Sequence, residues 1–205
     1  MTITSSLIII FVAGLIHASF QLSISVLTLL SGHVIGHQRS QRRLLLLSNA
    51  YILGVGVMTI FALCAASVAL GYNNGTLASS MLTWTIACGV LVGIGASVWI
   101  FYYRRGEAGT TLWLPRGAAR YLSERTKKTT HSAEAFGLGV SSVLAELLFI
   151  IAPLFVAALV LIKLPYFWQI IGIGLYAIVS LASLLTVHFL ISNGKSISRI
   201  QKWRE

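Results

Sequence analysis

The sequence predicts an all-α fold: a polytopic transmembrane helix bundle of five spans, N-terminus outside and C-terminus in the cytoplasm. Three observations predict it. The chain has 205 residues, of which 57% are hydrophobic and only 10% charged, against about 25% charged in a soluble domain. Five apolar stretches each reach the ~20 residues a helix needs to cross the hydrocarbon core. Finally, 14 of the 15 Lys and Arg residues fall on one side of a five-span alternation. A soluble enzyme, a disordered tail and a disulfide-stapled secreted module are excluded by this composition.

The first span is placed at 6–32. It has no basic leader and its apolar run is too long for a cleavable signal peptide. Arg39, Arg42 and Arg43 follow it. The second span, 44–72, leads to a connection, 73–80, that carries no basic residue. The third, 81–103, shows Gly89, Gly93 and Ser97 at every fourth position, a pattern that lets helices pack closely. Gly54 and Gly56 in the second span, and Gly172 and Gly174 in the fifth, are read in the same way. The polar segment 104–132 holds seven basic residues. Pro115 suits the first position of a short helix. Arg116, Arg120 and Arg125 would then rest on anionic headgroups, or else lie on a solvated basic loop. The fourth span is 133–162, with Glu134 in its first turn where a carboxylate suits the helix dipole. Lys163 is the only basic residue between it and the fifth span, 166–191, and four basic residues follow. The positive-inside rule makes the basic side cytoplasmic. Residues 1–103 thus form a first three-helix repeat, 104–132 a basic cytoplasmic loop, and 133–205 a second repeat of two spans with a basic tail.

Polar groups inside the spans carry the functional information, because an ionised side chain at the bilayer centre costs about 2.5–3.5 kcal/mol on insertion scales. His17, Gln21, Ser25 and Thr28 share one arc of about 120° on the first span. They line a pathway, or else bond neighbouring helices. Glu146 is the only acid deep in any span. Ser142 lies one turn before it. Pro153 has no N–H for the Phe149 carbonyl, so hydroxyl, carboxyl and carbonyl form one oxygen-rich patch. Such a patch suits a proton, a cation or a substrate amine, or else it is a proline kink with a protonated Glu146 bonded to a neighbouring helix. His188 is read as an interface residue near the cytoplasmic end. Cys64 and Cys88 are read as small buried hydrophobes, without the spacing of a redox pair or a metal site.

A shift of 125 residues aligns the first and fourth spans. Phe11, Gly14, Leu22 and Leu29 fall on Phe136, Gly139, Leu147 and Leu154, and Gln21 falls on Glu146. The two spans run in opposite directions, as inverted repeats do. On Gly14 to Gly32, Gly54 to Gly71, the basic loop and Phe136-Gly-Leu-Gly through Pro153, the chain resembles the lysine-exporter superfamily. That group also holds the thiol–disulfide electron-transfer membrane proteins. The resemblance implies two inverted three-helix repeats, and hence a sixth helix: missing from this chain, absent from a five-helix form, or supplied by a partner or a second copy. The electron-transfer branch has a cysteine in the first helix of each repeat, and this chain has none there. Metal-exporting branches show acidic or His-rich first helices, and here there is a single His17 with no acid.

The expected function is therefore a small inner-membrane secondary transporter or exporter, proton-coupled through Glu146. The alternative is a membrane scaffold or assembly subunit that docks a partner through 104–132. The pattern holds no paired acids, metal triad or cofactor motif, so neither an enzyme, a bound metal nor a cofactor is expected. The partners expected are the lipid bilayer, an unidentified small solute or ion, and a second copy or partner subunit. Nucleic acid is not expected.

Overall fold

The computed structural model describes residues 2–19, 41–72, 80–102, 124–126 and 128–192. The described residues form helices, with no strand among them. In order they are α1 (Ile3–Ser19), α2 (Gln41–Gly71), α3 (Met81–Tyr102), α4 (Ser132–Leu161), α5 (Tyr166–Ser180) and α6 (Ala182–Ser192). Their sequences are rich in Leu, Ile, Val and Ala and hold one internal proline, Pro153.

These helices are apolar on every side. Large apolar residues stand on the outside as well as the inside: Leu53, Phe61, Val68, Val92, Ile178 and Phe189 are all exposed. A soluble monomer rarely shows so much contiguous apolar surface. In hydrocarbon the same surface is favourable, because a helix satisfies its own backbone polar groups. By length and composition α2 alone is long and apolar enough to cross a membrane. Two bent pairs also pass, so up to three spans qualify among the described residues.

The expected fourth and fifth spans are both bent. The halves Ser132–Leu147 and Phe149–Leu161 of α4 meet at 88°. Pro153 cannot donate to the Phe149 carbonyl, and its ring crowds that carbonyl. The break falls there. The expected span 166–191 is divided at Leu181 into α5 and α6, with a bend of 46°. Ser180 Oγ donates to the Ala177 carbonyl at 3.0 Å, the kind of back-bond that bends helices.

Helix α4 is the hub and touches α1, α2, α3 and α5. Its contact with α2 is the most extensive. A Cβ at Gly54 would overlap the Phe136 carbonyl, and one at Gly139 would overlap the Tyr51 carbonyl. The two backbones therefore meet directly, and only glycine permits it. The first halves of α2 and α4 share one apolar cluster through Leu47, Val55, Leu138 and Val143. Their second halves share another through Leu63, Leu70, Leu154 and Ala158. The helices are thus parallel. Helices α1 and α5 are parallel too: a Cβ added at Gly172 would lie 3.0 Å from Ile10 Cδ1, and one added at Gly14 would lie 3.0 Å from Val179 Cγ1.

The bundle has two distinct ends. Arg42, Arg43 and Lys128 lie where α2 and α4 begin, and Arg43 Nη2 donates to the Thr130 carbonyl at 2.9 Å. At the other end Tyr72, Tyr166 and Phe167 are exposed. There the Lys163 ammonium sits 5.4 Å from the centre of the Trp84 ring, a cation–π contact. Glu134 behaves as a helix-start charge: its Oε2 accepts the Thr130 and His131 N–H groups at 2.8 and 3.2 Å.

The small-residue pattern divides. Gly54, Gly139, Gly14 and Gly172 build the bundle, and a Cβ added at Gly56 would lie 3.3 Å from Leu181 Cδ1. A Cβ added at Gly89, Gly93 or Gly174 would meet nothing within 4 Å. At Gly89 and Gly93 α3 is therefore open, contrary to the expectation; among its described side chains Ala87, Trp84 and Leu91 pack onto the neighbouring helices.

Candidate functional site

The polar side chains His17, Tyr51, Ser142, Glu146 and Tyr176, of α1, α2, α4 and α5, are buried in the bundle. Helix α1 turns Ser6, Ile10, Ala13, Gly14 and His17 inward. His17 is 1% exposed, and its Nδ1 lies 2.9 Å from the Tyr176 hydroxyl. The two rings are tilted at 54° with centroids 5.6 Å apart. Gly14 one turn earlier lets α1 approach α5 closely enough for this bond. Which nitrogen of His17 carries the proton decides whether the tyrosine donates or accepts.

On the α2–α4 contact, Tyr51 donates its hydroxyl proton to Ser142 Oγ at 3.0 Å. Ser142 Oγ in turn donates to the Gly139 carbonyl at 2.8 Å. Glu146 follows one turn later on the same face and is 1% exposed. Pro153 is buried and Phe149 half-buried. Ser142 and Glu146 thus stand one turn apart, both buried, before the bend of α4.

Gln21, Ser25, Thr28, Arg116 and Arg120 lie outside the described residues. Arg125 is exposed, as a headgroup-facing or solvated residue would be. His188 is half-buried, and its Nδ1 is buried without a hydrogen bond. Cys64 is half-buried, whereas Cys88 is exposed and not the buried hydrophobe expected.

Tyr51 and Tyr176 were not among the expected site residues. An aromatic in an apolar helix reads as core, and nothing beside either residue marks it. The 125-residue shift finds them. Tyr51 falls on Tyr176, and His17 falls on Ser142. The two observed bonds, Tyr176 with His17 and Tyr51 with Ser142, therefore join positions related by the same shift. Gly14 and Gly139, also related by the shift, sit at the two crossings beside them.

Compared with protein-family models, curated proteins and solved structures, the chain matches none.

Proposed function

We propose that this chain is a small secondary transporter or exporter of the cell membrane, proton-coupled, with its solute site along the buried polar face of α4 and α1. The observation that carries the reading is the placement of Glu146. A carboxyl is buried inside a bundle whose exterior is apolar. Such a group is expensive in a membrane protein and normally serves a pathway. His17 and Ser142 add an imidazole and a hydroxyl to the same interior.

The chemistry follows from these groups. Glu146 binds either a proton or a cationic amine, and the two compete for it. Ser142 and the carbonyl released by Pro153 supply further oxygens to the bound cation. Exchange of Glu146 between the two occupants couples solute movement to proton movement in the opposite direction. An inverted pair of repeats supplies the motion, one packed against the other around a central site. The resemblance to the lysine-exporter superfamily agrees with an amine-bearing solute.

Liposomes holding the protein and a trapped pH indicator test this. Amino acids and small organic cations are added outside, and solute-driven proton movement is read. Wild-type protein is expected to move protons with at least one of these solutes, and Glu146→Gln to abolish the pH dependence. Unchanged uptake with unchanged pH dependence in Glu146→Gln removes Glu146 from the mechanism.

A further inference from the structure

Tyr51 lies ten residues beyond the start of α2, and Ser142 ten beyond the start of α4. At 1.5 Å per residue their bond sits about 15 Å in from the basic end. Tyr176 lies ten residues beyond the start of α5, so its bond to His17 sits about 15 Å in along α5 from the aromatic end. Gly56 of α2 lies against Leu181 at the end of α5, five residues after Tyr51 and five after Tyr176, so the same contact recurs at two depths, on opposite sides of that level. Glu146 lies four residues past Ser142, toward the middle.

Each bond joins the first helix of one repeat to the second helix of the other. Opening either one parts the repeats on its own side of Glu146. We infer that Tyr51 and Tyr176 are paired gating residues: Tyr51–Ser142 closes the path to Glu146 from the basic end, and Tyr176–His17 closes it from the aromatic end. This rests on the transport reading and adds to it the two positions that decide which end is open. Two further features fit. Each tyrosine is fully buried, so its hydroxyl has no water to replace a lost partner. Each bond also stands beside a glycine crossing, where the helix backbones are close and a small rotation separates the side chains.

Thiol labelling tests the assignment. Cys64 and Cys88 are first replaced by alanine. Ser6→Cys reports the aromatic half and Ser48→Cys the basic half, since both serines are buried on the inward faces of their helices. The purified protein in detergent is treated with a charged methanethiosulfonate reagent, and the rate at each position is measured. Tyr176→Phe is expected to speed labelling at position 6 about threefold and not at position 48, the shift that loss of one interhelical hydrogen bond gives to a two-state equilibrium. Tyr51→Phe should do the reverse. His17→Leu and Ser142→Ala break the same bonds from the other helix and should reproduce the two patterns. Unchanged rates, or equal rises at both positions in either variant, overturn the assignment. So does a variant that unfolds instead of opening. The assay involves no transport, so its failure leaves the Glu146 result standing, and a silent Glu146→Gln leaves this one standing.

Discussion

A single hydroxyl decides whether Tyr51 and Ser142 hold α2 to α4 by more than shape. The ring of Tyr51 packs among Leu47, Val55 and Leu138, and Tyr51→Phe keeps that packing. A double-mutant cycle of Tyr51→Phe with Ser142→Ala, read by thermal unfolding in detergent, isolates the bond. The expected coupling is about 0.6 kcal/mol, the average for interhelical hydrogen bonds in membranes. A coupling of zero would mean the contact is packing alone. His17, Ser142 and Glu146 were legible in the sequence because a polar group stands out against an apolar run. The tyrosines were not, since their rings belong to the core and only their hydroxyls belong to the site. Glu134 was legible for a different reason: a carboxylate at a helix start meets free backbone N–H groups wherever it occurs.

Between helices, glycine sets the distances. Gly54 and Gly139 face carbonyls of the opposite helix that no side chain can approach. Gly54→Val or Gly139→Val should therefore destabilise the bundle by about 1–3 kcal/mol, the ordinary cost of overpacking. Gly89→Val and Gly93→Val meet open space and should change the same unfolding curve little. Equal losses at all four positions would mean that α3 packs as tightly as α2 does. Sequence reasoning treated these glycines alike, because spacing shows that two small residues share a face and not whether a neighbour covers it. The bend of α4 was legible in Pro153. The break at Leu181 was not: no proline or glycine adjoins it.

Across the whole molecule, the expected topology can be set beside the observed helix directions. The positive-inside count needs α1 and α4 to run in opposite directions. The observed parallel pairs, α2 with α4 and α1 with α5, are what alternation along the chain requires. The helical class was legible because composition and segment length reflect the solvent directly. The expectation of five spans reaches further than the one to three that qualify by length and composition. Side-specific labelling in sealed, oriented membrane vesicles tests the spanning, inverted arrangement most directly. Single thiols replace Thr2, Arg43, Lys128 or Lys163 in a background with both native cysteines changed to alanine. The account predicts that positions 2 and 163 react from the outer face and positions 43 and 128 from the cytoplasmic face. Positions 2 and 43 reacting from the same face would contradict it.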